Sequence, residues 1–135
     1  MKMNIYDLIG TVANDPMHID TSSKYRNSVE LSGFLLRKPK FITHDKTGVT
    51  SCSMVIYQII PREGGFNVCV YSCMVYYEEL IEQLKKQDKV AFVAITGKVR
   101  HSKKIKGMYI QVANMATAFE LEYDLTDEYQ QGEVL

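Results

Sequence analysis

The chain has 135 residues, 46% apolar and 24% charged, which excludes wholesale disorder and fibrous repeats and sets one domain with a core of its own. No run approaches 18 apolar residues, Asp7 interrupts the only apolar stretch near the N-terminus, and three cysteines are an odd number for a disulfide framework, so the expectation is a cytoplasmic protein with no membrane span and no secretory leader. A formal net charge of zero hides a segregation: residues 1–23 hold one Lys against three Asp, residues 24–119 hold fifteen Lys and Arg against seven acids, and residues 120–135 hold six acids and no base.

Residues 1–26 read as an N-terminal extension. Ile5, Leu8, Ile9 and Val12 share one face of a short helix, with Asn4 as its cap and Asp15-Pro16 as its stop. Two or three turns do not stand alone in water, so this segment must dock on the body, dock on a partner or stay loose. Thr21-Ser22-Ser23 reads as a linker.

Residues 27–119 read as the folded domain. From Asn27 the period is two: Val29, Leu31, Gly33 and Leu35 alternate with Ser28, Glu30, Ser32 and Phe34, a half-buried strand that Pro39 ends. After the turn signal Lys46-Thr47-Gly48, a second strand sets Cys52, Met54 and Ile56 against Ser51, Ser53, Val55 and Tyr57. A loop closing in Gly64-Gly65 leads to a third strand at 66–73, apolar on both faces. Residues 76–87 then carry a helical stripe of Tyr77, Leu80, Ile81 and Leu84, with acids first and lysines last, and a Glu82–Lys86 pair. Strands follow at 90–99 and 108–119 around a basic turn, and residues 120–135 form an acidic C-terminal tail. Three strands, a helix and two strands are the plan of an all-β domain with one helix: a five-stranded OB-fold Greek-key barrel, the helix between strands 3 and 4.

Catalysis finds no support. His18, His44 and His101 are scattered, no nucleophile motif stands near them, and there is no phosphate-binding or dinucleotide fingerprint, so an enzyme is not expected. Cys69 and Cys73, four apart on a strand, would lie about 13 Å apart, too far to share one zinc; no metal or cofactor is expected.

The charges point instead to a polyanion, with the acidic tail as a competitor for the same surface or a handle for another protein. Lys98, Arg100, Lys103, Lys104 and Lys106 bracket the turn between the last two strands, and Arg37, Lys38, Lys40 and Lys46 fall in the loop after the first. In an OB-fold these two loops flank the oligonucleotide groove. Binding single strands without reading sequence also needs flat rings, and Phe34, Tyr57 and Tyr109 are the candidates. Rings and cations do not tell DNA from RNA.

At this point the chain resembles a family. Asn27-Ser28-Val29-Glu30-Leu31-Ser32-Gly33 is similar to the opening strand, Asn-x-Val-x-Leu-x-Gly, of bacterial-type single-stranded DNA-binding proteins. Lys38-Pro39 stands where that family often has Asp-Pro, and residues 48–56 resemble its second strand. Residues 84–90 resemble its Leu-x-Lys-Gly-x-x-Val turn, and Val93-Ala94-Ile95-Thr96-Gly97-Lys98-Val99-Arg100 its fourth strand. The likeness covers about residues 27–119. Three features depart from it: the family's tryptophans are absent, with Phe66 near one of them; the short acidic tail ends Gly132-Glu133-Val134-Leu135 instead of in a long linker closing in Pro-Phe; and residues 1–26 are foreign to the pattern. A divergent member, such as one from a phage, plasmid or conjugative element, fits these departures.

The resemblance implies binding of single-stranded DNA with little sequence preference during replication, recombination or transfer, by a dimer or tetramer of identical chains to which Val68 and Val70 could contribute. The alternative is an OB-fold accessory factor that binds a helicase, primase or relaxase and touches DNA weakly; a pure protein-interaction module using the N-terminal stripe is a further one.

Overall fold

Period-two alternation becomes strands that curl around one apolar interior. The computed structural model describes residues 3–102 and 107–127 and contains β1 (Val29–Leu35), β2 (Lys40–Thr43), β3 (Thr50–Arg62), β4 (Gly65–Val75), β5 (Lys89–Ser102) and β6 (Gly107–Asp124). They form one sheet in the order β1-β5-β6-β4-β3-β2, and β1 also pairs with β3, which brings the sheet back on itself. All pairings are antiparallel except β4–β6, which is parallel. The helix α3 (Glu78–Lys85) falls between β4 and β5.

The expected count of five strands is corrected to six among the described residues. The addition, β2, is four exposed residues paired to residues 50–53 of β3; with no buried face it carries no alternation to read. The one helix expected within the domain is α3, and the short helix expected near the N-terminus is α1 (Ile5–Ala13); among the described residues α2 (Pro16–Thr21) is an addition. The Asn4 side chain accepts from the Asp7 N–H at 2.9 Å, as a cap should. Asp15-Pro16, read as a stop, is also a restart: the Asp15 carboxylate accepts from Met17 N–H at 2.8 Å and Pro16 occupies the first turn of α2. The expected linker at 21–23 is the end of α2 running into a 3-10 turn at Ser22–Lys24.

The interior is filled by the odd residues of β1, β4 and β5 and the even residues of β3: Leu35, Cys52, Met54, Ile56, Cys73, Val75, Val93 and Ile95 are all buried. Ile81 and Leu84 of α3 are buried in the same cluster. Burial pushes the Cys52 and Cys73 thiols up to about 12, so both are neutral apolar fillers. Tyr77, assigned to the packing stripe of the helix, is instead its N-cap residue and 54% exposed, because the helix begins one residue later. Lys85, not Lys86, pairs with Glu82, at 3.1 Å.

Two glycines let strands approach where a side chain would collide. A β-carbon on Gly33 would lie 2.6 Å from the Tyr57 carbonyl oxygen and 2.7 Å from the Ile56 side chain, where β1 meets β3. One on Gly97 would run into the Gln111 carbonyl, at a register shift between β5 and β6.

β6 runs to Asp124, and the next residues strap back onto β1's exit. Leu125 is buried and donates to Asp88 O at 2.9 Å, while Thr126 accepts from Lys38 N–H at 2.8 Å and donates to Leu36 O at 3.0 Å. No helix among the described residues is long and apolar enough to cross a membrane.

Candidate nucleic-acid interface

Alternation that turns Ala91, Val93, Ile95 and Gly97 inward turns Phe92, Ala94, Thr96, Lys98 and Arg100 outward. Their partners on β6 are Phe119, Ala116, Asn114, Gln111 and Tyr109. The outer face of the β5–β6 ribbon therefore reads, from one end to the other, as rings, small residues, then cations. Eight residues separate Phe92 from Arg100, about 26 Å of strand.

The ring end is a packed trio. Phe34 of β1 is in register with Phe92, and Phe92 with Phe119. Phe92 and Phe119 stack with centroids 5.3 Å apart and planes 5° from parallel. Phe34 meets both edge-on, at 5.0 Å and 6.1 Å, the arrangement that ring quadrupoles favour. Phe119 is 48% exposed, and Phe34 and Phe92 are half-buried. Phe34 was anticipated; Phe92 and Phe119 were not. Their signal was present for Phe92, which alternates against Val93 and Ile95, but its meeting with Phe119 depends on a register across two bulges.

Tyr57, expected on an exposed polar face, is buried, and so is Arg37, expected as a phosphate contact. The physical reason is the barrel's closure: Tyr57 pairs with Phe34, and the chain leaving β1 lays the Arg37 guanidinium 5.7 Å from the Tyr57 ring centre. Both are thus corrected from solvent-facing to covered positions. Lys38 and Lys40 are exposed. Lys38 follows the trio at the Ala91 end of β5, with its backbone held by Thr126, and Lys40 lies on β2 opposite Ser53.

At the far end, Lys98 and Arg100 are exposed. The Arg100 Nε donates to Gln111 Oε1 at 3.1 Å, which aims the guanidinium across the ribbon. Asn27 fastens this end: its side-chain amide both donates to Val99 O and accepts from Val99 N–H, each at 2.8 Å. Tyr109 is half-buried. Partial burial, then a hydrogen bond with Tyr109, raise the Tyr76 hydroxyl above its ordinary value, so the Tyr109 ring is tethered. Lys103, Lys104 and Lys106 lie outside the described residues, whose flanks, Ser102 and Gly107, pair with each other.

Among the described residues, Lys38 thus stands near the Ala91 end of β5, close to the rings, and Lys98 and Arg100 toward its other end. Beside Lys38, the Lys89 ammonium bonds Asp124 at 2.6 Å and holds that carboxyl below its ordinary range, with Lys38 adding to the effect. Asp124 is therefore neutralised locally by Lys89.

No protein-family model matches the sequence, and no curated protein matches it. Solved structures do. The mitochondrial single-stranded DNA-binding protein of S. cerevisiae is 13% identical, with a TM-score of 0.59 over 71% of this chain and 97% of that one. A Plasmodium falciparum single-stranded DNA-binding protein, solved in complex with single-stranded DNA, is 13% identical, with a TM-score of 0.57 over 70% of this chain and 96% of that one. The small single-stranded DNA-binding protein of Streptomyces coelicolor is 8% identical, with a TM-score of 0.54 over 69% and 94%. At these identities the likeness is one of fold, and it is the fold that the strand motifs implied: this chain has the OB-fold of the single-stranded DNA-binding proteins.

Proposed function

We propose that the protein binds single-stranded DNA with little sequence preference, along the outer face of β5–β6, and is not an enzyme. The observation that carries this reading is the linear order on that face: Lys38, the Phe34–Phe92–Phe119 trio, a small-residue stretch, then Lys98 and Arg100. A single strand needs a track of this kind, because its phosphates repeat along a line and its bases are free to stack on any exposed ring. Phe119 offers the most open ring; Phe34 and Phe92 hold it in place. Phosphates follow Lys38, Lys40, Lys98 and Arg100; Lys103, Lys104 and Lys106, expected from the sequence to share in this, lie outside the described residues. Protection of exposed strands in replication, recombination or transfer is the role that suits such binding.

About five neutralised phosphates give a log-affinity versus log-salt slope near −3.5 on a single strand. Titration of labelled oligo-dT at several salt concentrations, beside a duplex of equal length, measures it. The expected result is that slope and weaker duplex binding; a flat salt response overturns the proposal.

A further inference from the structure

β1 leaves its partner β5 at the Leu35–Ala91 pair, and β2 takes up the chain again only at Lys40. Residues 36–39 lie between the two ladders, and Pro39 has no N–H with which to join either. Lys38 therefore stands on backbone that neither β1 nor β2 holds.

The end of β6 holds it instead. Thr126 accepts from Lys38 N–H at 2.8 Å and donates its own N–H to Leu36 O at 3.0 Å, a parallel bridge centred on Arg37. The residue before it fixes the bridge to the body: Leu125 is 4% exposed, belongs to the core cluster, and donates to Asp88 O at 2.9 Å. One step earlier, Asp124 takes the Lys89 ammonium at 2.6 Å. Residues 124–126 thus clamp the exit of β1 to the start of β5. The same bridge carries Arg37, whose guanidinium lies 5.7 Å from the Tyr57 ring centre.

We propose that Leu125 and Thr126 are positioning residues for strand binding, a latch that holds Lys38 at the ring end of the track. This rests on the reading of the outer face of β5–β6 as that track. Lysine has a long side chain with many rotamers, and a phosphate contact from it must overcome the entropy of ordering it. A loose backbone beneath that side chain adds two more free dihedrals per residue to the same cost. The latch removes this part of the cost before the strand arrives, with no contact of its own to the strand. It needs both of its residues: Leu125 supplies the anchor in the core, and Thr126 the two backbone bonds that reach across to Leu36 and Lys38.

The test titrates labelled oligo-dT against the full chain at several salt concentrations. Leu125→Ser withdraws the anchor and adds no charge. Thr126→Pro removes the N–H that Leu36 O accepts, at an exposed position, and carries the test alone if Leu125→Ser unfolds the chain. Lys38→Ala removes the cation itself. Loss of one phosphate contact lowers the salt slope by about 0.7, which is about fivefold in affinity near 0.1 M salt. Lys38→Ala should show that loss, each latch variant should show a three- to fivefold loss, and either latch variant combined with Lys38→Ala should be no weaker than Lys38→Ala alone. Amide hydrogen exchange at Lys38, measured without DNA, reports whether the latch is open, and should be faster in both latch variants. Variants that release the Lys38 amide yet bind as the native chain does overturn the proposal. So do latch losses that persist in full in the Lys38→Ala background, since the latch then acts through something other than Lys38. A native chain that does not bind oligo-dT overturns the track itself, and the role of the latch with it.

Discussion

Gly33 has no side chain, and the barrel closes because of it. β1 and β3 share a single register pair, Phe34 with Tyr57, and the space where a Gly33 β-carbon would sit is already taken by a backbone carbonyl and a core isoleucine. The isoleucine can turn; the carbonyl belongs to the strand. Gly33→Ala should therefore force the two strands apart and cost about 2 kcal/mol, in the range of overpacked cores. Urea denaturation checks it, and an unchanged midpoint would mean that the contact is looser than its 2.6 Å suggests. The same closure shows what alternation can and cannot reveal. It placed Tyr57 on the face opposite Met54, which is where it lies. It did not reveal that this face is roofed by Arg37, because a roof comes from a loop's path and not from a strand's period. Phe92 is the converse case: its outward position was readable, but its partner Phe119 is found only through the pairing of two bulged strands.

At the scale of elements, those with a buried face were legible and those without one were not. β1 and β3 announce themselves through residues that now fill the core, and α3 through its stripe, although its start was read two residues early. β2, all four residues exposed, left no pattern. The first helix of the N-terminal arm was legible for the opposite reason: its cap is local, so Asn4 marks a helix start whatever the body does, whereas Asp15-Pro16 reads equally as a stop, and the short α2 that it caps was missed. α3 also gives the element's clearest energetic test. Leu84 is 1% exposed and sits in the cluster with Val90 and Leu125. Leu84→Ala removes that packing and leaves a cavity, so a loss of about 3 kcal/mol is expected. Thermal or chemical unfolding measures it; a loss below about 1 kcal/mol would place α3 on the surface of the core and not within it.

Along the outer face of β5–β6 the phenylalanine trio stands apart from Lys98 and Arg100, and that separation makes the proposed mechanism divisible. Stacking on a ring is a short-range contact that releases no counterions, whereas each phosphate contact does release them. Phe119→Ala removes the most open ring of the trio without touching a charge. It should weaken oligo-dT binding about 5- to 150-fold, as expected for the loss of 1–3 kcal/mol of stacking, at every salt concentration alike. Lys98→Ala with Arg100→Ala removes two cations some 20 Å or more from the trio by strand length. This pair should weaken binding most at low salt and flatten the slope by about 1.4, from near −3.5 to near −2. Double-mutant analysis across the two ends should be nearly additive, since the groups share no contact. If Phe119→Ala changes the slope, or if the cation pair lowers affinity equally at all salt concentrations, the strand does not run along this face from rings to cations, and the outer surface of β5–β6 is not where it lies.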